Sequence, residues 1–383
     1  MKKNKVFSLL TLVIFFVFLL TGCVFTANAG DEKVSEELSE PSKSVEPEKY
    51  NGQNPNLSPT EVFVEIDEIL KSTPTPTLYP TPTETPTVIP TPTPIWDSQR
   101  AGVRLIMEKY GFIEEYYLTD EYWSTLYNRI DNYGVAEKIV ALEYHGNNYS
   151  MYDGAYSLNP DAFYKQIEYL MENQYHFVTL HELKGFLDGW LDLPKRSIIL
   201  TTDSGYTSQE SFESIITQFS ELELIYGYKP HMQSYVWTKG MTQEESSVCK
   251  ENACWKSFLK AKDSGFFTFG THSETHPQFE FKTVDFLKED LGISIEKIRE
   301  NTGLNVYAIT WPHESCSWDL EALDEIGIEI GFGGLSKYTS DAFVYKNDQM
   351  YNCLPRLFPP NGGGYSSRPY GFTLEDILNA QEN

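Results

Sequence analysis

From Lys138 to its end, the chain alternates short apolar runs with amphipathic stretches, and this alternation is the strongest constraint on its fold. Such a pattern is typical of strands that are each followed by a helix. It predicts an α/β protein with a largely parallel sheet or barrel, and the remaining length suits one domain at residues 138–383. We predict strands at residues 139–144, 176–179, 197–202, 231–237, 266–270, 306–310, 328–332 and 351–357.

Helical periodicity appears both between these strands and in front of them. Residues 96–137 carry two such patterns and are predicted to form a helical extension, which is either packed on the barrel or a separate binding module. Apolar faces between the strands are formed by Phe163, Ile167, Leu170 and Met171, and by Leu287, Leu291, Ile295 and Ile298.

The first residues have the layout of a secretory signal. Three lysines precede an apolar run at residues 6–20, which is shorter than a membrane span requires. The run ends in Leu-Thr-Gly-Cys, which resembles the bacterial lipobox. The resemblance implies that residues 1–22 are a signal peptide and that lipidated Cys23 anchors the protein to the outer side of the bacterial cell membrane. An uncleaved anchor would give the same topology.

Between Cys23 and residue 95 the composition does not support a packed domain. Residues 27–57 are rich in Ser, Glu, Pro and Asn and lack apolar periodicity, which favours disorder. Residues 73–94 alternate Pro and Thr, a composition that favours polyproline geometry at about 3.1 Å per residue. We therefore predict that residues 23–95 form a lipidated, disordered tether with a Pro/Thr stalk.

Charge and cysteine content narrow the partners and the compartment. The formal net charge of −25 argues against a nucleic-acid partner, because phosphate contacts need Lys and Arg. Four cysteines follow Cys23 in a chain predicted to leave the cytoplasm, so disulfides can form. Of the three possible pairings we favour Cys249 with Cys254 and Cys316 with Cys353.

Acidic and imidazole side chains occur at positions that suggest hydrolytic chemistry. Asp203 directly follows the apolar strand predicted at residues 197–202. Sixty-nine residues later, His272 and His276 are spaced four apart. A carboxylate at a strand end together with two imidazoles is a plausible set for binding one metal ion and hydrolysing a substrate beside it.

Four segments line up with the motifs of a known family: Ala-Leu-Glu-Tyr-His at 141–145, Thr-Thr-Asp-Ser-Gly-Tyr at 201–206, Thr-His-Ser-Glu-Thr-His-Pro at 271–277, and Trp-Pro-His at 311–313. Together they resemble the polysaccharide deacetylases of carbohydrate esterase family 4, over about residues 138–359. The resemblance implies a distorted (β/α)7-type barrel that removes N-acetyl groups from amino sugars with a divalent metal, zinc being favoured.

The same resemblance implies a role for individual residues. They are Asp203 as general base, Arg356 as its partner, His145 as general acid, His272 and His276 as metal ligands with Ser204 in place of the usual aspartate, and Trp311 and Tyr206 as substrate contacts. Several motif residues also have a structural alternative. They are core packing for Trp311, an ordinary strand-end position for His145, a helix cap for Asp203, burial with backbone hydrogen bonds for His272 and His276, and surface exposure for His313.

Ser204 is the departure from the family pattern. A neutral hydroxyl is a weak ligand, so only two protein ligands of ordinary strength remain. Asp203 moving onto the metal, or Glu274 turning inward, would compensate for the missing third ligand. His313, in the last motif, could donate a proton or approach the metal.

Two functions follow from these observations. The first is metal-dependent N-deacetylation of an N-acetylglucosamine-containing polysaccharide of the cell wall or an exported polymer. The alternative is a catalytically impaired lipoprotein that keeps the barrel for glycan binding or as a scaffold, and Ser204 is the feature that favours it.

Overall fold

The computed structural model describes residues 95–144, 160–204, 208–242, 249, 253–334, 342–348, 351–358 and 374–382. The predicted signal peptide, lipidated Cys23 and Pro/Thr stalk lie outside these residues. Chain contacts separate Met1–Thr73 from Pro74–Asn383, and every described residue belongs to the second unit. Within the described ranges, no helix combines the length and the apolar character needed to cross a bilayer.

The strands form one curled, mostly parallel sheet, a half-barrel in the order β7-β6-β5-β4-β3-β1-β8 with the short β2 beside β3. Only β8 runs antiparallel to its neighbour β1. The predicted fold class, α/β with a distorted (β/α)-type barrel, is confirmed. The strands are β1 (Lys138–Tyr144), β2 (His176–Phe177), β3 (Ser197–Ser204), β4 (Met232–Val236), β5 (Phe267–Thr271), β6 (Ala308–Thr310), β7 (Ile330–Phe332) and β8 (Phe343–Tyr345).

Helices lie between most of the strands, and side-chain caps start several of them. Thr179 and Glu182 form a reciprocal capping box at the start of α4, and Thr283 accepts a bond from the backbone of Phe286 at the start of α7. The helices are α1 (Asp97–Lys109), α2 (Asp120–Tyr133), α3 (Pro160–Glu172), α4 (Leu180–Leu187), α5 (Ser208–Tyr226), α6 (Ala253–Ser264), α7 (Val284–Thr302), α8 (Leu320–Glu325) and α9 (Leu374–Glu382).

Strand β1 shows how the pleat divides the side chains between two faces. Val140 and Leu142 pack in the cluster formed with α3, α5 and α6. Ile139 and Ala141 pack in a second cluster, on the other face of the sheet. Because successive side chains of a strand point to opposite faces, Glu143 belongs to the face of Ile139 and Ala141, which we call the inner face.

The prediction of a strand at residues 351–357 is wrong, because this segment does not pair continuously with a neighbouring strand. This segment forms only two isolated parallel bridges, Leu354 with Phe332 on β7 and Leu357 with Leu142 on β1. Pro355 has no backbone N–H to donate, which limits continuous pairing here. The segment therefore spans the interval between β7 and β1. The strand β8, which the sequence pattern did not indicate, pairs with the first residues of β1 on the same edge as Leu357, because β3 occupies the opposite edge.

Both helices predicted in residues 96–137 are present, as α1 and α2. Val103 on α1 and Trp123 on α2 are fully buried in the inner-face cluster, which also contains Leu183 and Phe186 of α4. The indole N–H of Trp123 donates to the carbonyl of Tyr117 at 2.9 Å. These contacts are those of helices packed on the barrel.

The predicted disulfide pairing is confirmed. Cys249 is bonded to Cys254, and Cys316 is bonded to Cys353. The second bridge joins the loop after β6 to the segment that spans β7 and β1, so it links two parts of the barrel that are far apart in sequence.

Two buried histidines lie away from the motif residues. The ring of His231 is hydrogen-bonded to the Tyr117 hydroxyl at 2.7 Å and to the Thr268 hydroxyl at 3.0 Å. Burial lowers the pKa of His231 to about 3 and that of His181 to about 4. Both rings are therefore neutral in the folded protein at pH values where an unfolded chain would protonate them.

We expect this burial to make the protein less stable as the pH falls. Below about pH 6.5 the unfolded state binds a proton at residue 231 that the folded state does not, so each pH unit lowers the free energy of unfolding by about 1.4 kcal/mol per such group. His231→Gln removes one group. The stability difference between the native protein and this variant should therefore shrink between pH 7 and pH 5 in denaturant titrations. Ser197→Ala, which removes only a buried hydroxyl bond to Pro194, should give a constant difference. If the free energies of unfolding of the native protein and of His231→Gln changed in parallel with pH, the prediction would be contradicted.

Candidate active site

A buried arginine joins two carboxylates at the carboxyl end of the sheet. Arg356 lies on the segment that spans β7 and β1, and its guanidinium makes two bonds to the Asp203 carboxylate, Nη1–Oδ1 at 2.9 Å and Nη2–Oδ2 at 3.1 Å. It also pairs with Glu143 through Nη2–Oε1 at 3.2 Å. In β3, Asp203 lies four residues after Ile199 and therefore points to the same inner face. The pleat thus brings the Asp203 and Glu143 carboxylates to one face, where they meet Arg356. The predicted contact between Arg356 and Asp203 is confirmed.

The electrostatics of this cluster depend on its burial. Arg356 is 2% exposed and Glu143 is 3% exposed, and the side chain of Asp203 is 5% exposed. Burial would lower the pKa of Arg356, but Asp203 and then Glu143 outweigh it, so the pKa lies above its ordinary value. The guanidinium of Arg356 therefore stays charged between the two carboxyl groups.

His272 is oriented toward this cluster by its neighbour β6. Its Nδ1 lies 2.8 Å from the carbonyl oxygen of Thr310 and 2.7 Å from the Thr310 hydroxyl. A carbonyl can only accept, so its contact favours a proton on this nitrogen. Nε2 then faces Asp203, at 3.9 Å from Oδ2, which is too long for a direct hydrogen bond. Burial lowers the pKa of His272 although Asp203 acts in the opposite direction, so a neutral imidazole stands beside the carboxylate.

Two further imidazoles continue from His272 toward solvent. The ring centroids of His272 and His276 are 4.8 Å apart, and those of His276 and His313 are 4.6 Å apart. Burial, followed by the two neighbouring imidazoles, lowers the pKa of His276 to about 3. His313 is exposed, and on another side the ring of Trp237 lies 5.6 Å from that of His276. The site thus presents a row of three imidazoles ending at the surface.

The backbone of both histidine loops is strained. Ser273, His276, His313 and Glu314 have positive φ values of 69°, 56°, 56° and 57°. Non-glycine residues adopt this left-handed conformation at a cost of order 1–3 kcal/mol each and do so most often at functional sites. The clustering of strain where the imidazoles meet is independent support for this region as the functional site.

Helix α7 holds the first of these loops. Both oxygens of Asp290 accept backbone bonds, from Glu274 at 2.9 Å and from Thr275 at 3.0 Å. The Glu274 carboxylate is itself bound to the Thr238 hydroxyl and to Lys297, each at 2.6 Å. Glu274 therefore does not turn inward toward the imidazoles in this structure.

The Ser204 hydroxyl is engaged by a neighbouring strand. As the neighbour of Asp203 in β3 it has the opposite parity, and its hydroxyl bonds to that of Ser234 on β4 at 2.8 Å. Asp203 keeps both oxygens on Arg356. Of the predicted metal ligands, only His272 and His276 lie together.

The described residues consequently do not fit a conventional three-ligand metal site. Among them, no group of three or more His, Cys, Asp or Glu side chains is arranged to hold a metal ion. A catalytic zinc site takes three protein ligands, but here position 204 carries a serine and the neighbouring Asp203 carboxylate is bound to Arg356.

The predicted sugar contact of Trp311 is not supported by its position. Trp311 is 1% exposed, its indole N–H donates to the carbonyl of Asn352 at 2.6 Å, and its ring packs edge-on against Phe279. Both faces are thus covered by the core, which corresponds to the packing alternative. His145 and Tyr206 lie outside the described residues.

Two residues of the site were not found from the sequence. Glu143 interrupts the apolar strand Ile139–Tyr144, and an acid in a buried strand is a signal that it has a buried partner. Asp290 occupies the apolar face of α7 with Leu287 and Leu291, and an acid on that face carries the same signal.

Comparison with known proteins places the fold. No protein-family model matches the sequence, and no match was found among the curated proteins compared. The Streptococcus pyogenes deacetylase PplD, solved with acetate, is 19% identical over 65% of this chain and 100% of that chain, with a TM-score of 0.50. The Bacillus cereus polysaccharide deacetylase BC0361 is 17% identical over 65% of this chain and 70% of that chain, also with a TM-score of 0.50. Bacillus anthracis BA0330 is 18% identical over 58% of this chain and 65% of that chain, with a TM-score of 0.47. At these identities the comparison shows that the chain shares the fold of solved polysaccharide deacetylases.

We expect Arg356→Leu to destabilise the protein by about 3–5 kcal/mol, because it leaves Asp203 and Glu143 buried without their cation. Arg356→Lys, which keeps the charge but loses the paired geometry, should cost less. Denaturant unfolding measures both. Lys260→Gln, which breaks an exposed pair with Glu213, is the control and should have little effect. An Arg356→Leu loss no larger than the control's would contradict the prediction.

Proposed function

We propose that this protein removes N-acetyl groups from an N-acetylglucosamine-containing polysaccharide, either of the cell wall or exported. The observation that carries the proposal is the Asp203 carboxylate, fixed by Arg356 and facing the imidazole of His272 at the carboxyl end of the sheet. The fold is one that solved polysaccharide deacetylases also have.

Amide hydrolysis requires a base, an acid and stabilisation of the oxyanion. In the proposed reaction a water oxygen bonds to the acetyl carbon while Asp203 accepts the water proton. The carbon–nitrogen bond then breaks, the nitrogen takes a proton from His145, and acetate and a free amine are released. Asp203 suits the first role because Arg356 fixes both its oxygens, which removes the need to reorient the base.

The proposal includes a divalent metal, with zinc as the first candidate and His272 and His276 as its ligands. When bound, such an ion would polarise the carbonyl group and acidify water. Because the described residues supply no third strong ligand, the metal requirement is tested separately from the hydrolysis itself.

The competing function is glycan binding or scaffolding without catalysis. A specific observation favours it: the Ser204 hydroxyl bonds to Ser234, and the described residues supply one metal ligand fewer than a three-ligand site needs.

Under either function we propose that lipidated Cys23 holds the protein outside the cytoplasm on the bacterial membrane. The tether at residues 23–95 would then give the barrel reach toward a polysaccharide.

The first test is acetate release from N-acetylglucosamine oligomers by the purified protein. We expect Asp203→Asn to lower the rate by about 100-fold or more, because loss of a general base typically costs that much. Ser197→Ala is the control for a buried polar change outside the site, and circular dichroism checks that each variant is folded. An Asp203→Asn variant as active as the native protein would rule out Asp203 as the base.

The second test separates the two functions by metal. The zinc content of the protein is measured, and acetate release is compared before and after a chelator and again after zinc is restored. Release that disappears and returns supports a metal-dependent deacetylase. Oligomer binding without release under any condition supports the non-catalytic function, and neither binding nor release would contradict both.

A further inference from the structure

Two exposed aromatic side chains lie on the loops that carry the outer imidazoles. Phe281 is 73% exposed and Trp318 is 50% exposed, and we call this pair the aromatic rim. Val284 and Leu320, which begin α7 and α8, are 41% and 49% exposed beside them in sequence. Exposed apolar side chains on the loops of a candidate site are candidates for ligand contact.

The rim is close to the candidate active site along the chain. Phe281 follows His276 by five residues, and Trp318 follows His313 by five residues. Five residues reach at most about 17 Å when fully extended, so the Cα of each aromatic residue lies within that distance of the Cα of a histidine. One oligosaccharide of a few sugars could contact the imidazoles and the rim together.

The two loops are held to each other and to the barrel. The backbone N–H of Glu280, next to Phe281, donates to the Ser315 hydroxyl at 2.8 Å. The disulfide between Cys316 and Cys353 fixes the second loop just before Trp318. A platform fixed in this way binds a ligand with less loss of conformational entropy than a mobile loop would.

The cations near the rim are engaged by other side chains, which disfavours an anionic ligand. Lys288 on α7 is ion-paired with Glu325 on α8, and Lys282 lies over the ring of Phe286, 5.1 Å from its centroid. The net charge of −25 also opposes binding of polyanions. Aromatic rings offer flat apolar faces, and the C–H faces of pyranose rings are neutral, flat and apolar in the same way.

We propose that the aromatic rim is a sugar-binding subsite, in which Phe281 and Trp318 stack on pyranose rings of the same polysaccharide whose reacting residue lies at the imidazoles. This inference rests on the proposed function and makes its substrate more specific. The preferred ligand is a polymer several sugars long, and a monosaccharide or disaccharide is too short to gain from the rim.

The test is calorimetric titration of the full chain with N-acetylglucosamine oligomers from the dimer to the hexamer. We expect the affinity of the native protein to rise with oligomer length. The double variant Phe281→Ala/Trp318→Ala should bind the hexamer roughly tenfold or more weakly while its affinity for the dimer is unchanged. Both side chains are exposed, so the variant should fold normally.

Leu224→Ala/Ile225→Ala is the matched control. These residues are 87% and 56% exposed, but they lie at the end of α5 that leads into β4, at the opposite end of the strands from the imidazoles. The control should bind every oligomer as the native protein does.

The outcomes distinguish the subsite from the function it serves. If the rim variant and the native protein bind the hexamer equally, the subsite is wrong while the proposed function stands. If the native protein binds no oligomer, both are wrong. If the rim variant instead loses binding to phosphatidylglycerol vesicles and keeps its oligomer affinity, the rim is a membrane contact and the subsite is again wrong.

Discussion

The candidate site depends on one buried ionic interaction, the guanidinium of Arg356 between the carboxylates of Asp203 and Glu143. Three separate parts of the chain meet there: β1, β3 and the segment that spans β7 and β1. Removing a charge from water is costly, and the cost is offset only where opposite charges and hydrogen bonds meet it in fixed geometry. The segment that carries Arg356 has to bridge β7 and β1 for the cluster to form. The closure of the barrel therefore fixes the position of the Asp203 carboxylate.

Around this cluster the described residues bring imidazoles and strained backbone together without a third strong metal ligand. Three imidazoles lie in a row, two of them on strained backbone, and Asp290 fixes the loop between β5 and α7. Strained backbone of this kind clusters at functional sites. Ser204, however, is bonded to Ser234 and does not supply the ligand that the family pattern places at this position. The arrangement is thus more complete around Asp203 and Arg356 than around the two neighbouring histidines.

Much of the fold was predictable because the spacing of apolar residues and the amino-acid composition are local properties of the sequence. The alternation after Lys138 predicted the α/β class, and the positions of Cys316 and Cys353 allowed the observed pairing. The prediction failed at the last strand, residues 351–357, because isolated bridges and a ladder strand have the same apolar pattern and differ only in their neighbours. In the site, Asp203 and Arg356 were identified from motif residues, whereas Glu143 was missed because a strand pattern does not reveal which buried residue has a charged partner.

The sequence by itself determined the kinds of side chain available at the strand ends: a carboxylate, paired imidazoles, an arginine, and a serine where a second carboxylate is usual. Only the tertiary structure decided which way they face. It buried Trp311 in the core, turned Ser204 to Ser234, and exposed Phe281. The physical reason is that orientation is set by strand parity, by the partner strand and by what covers each face, and these arise from contacts between residues that are distant in the chain.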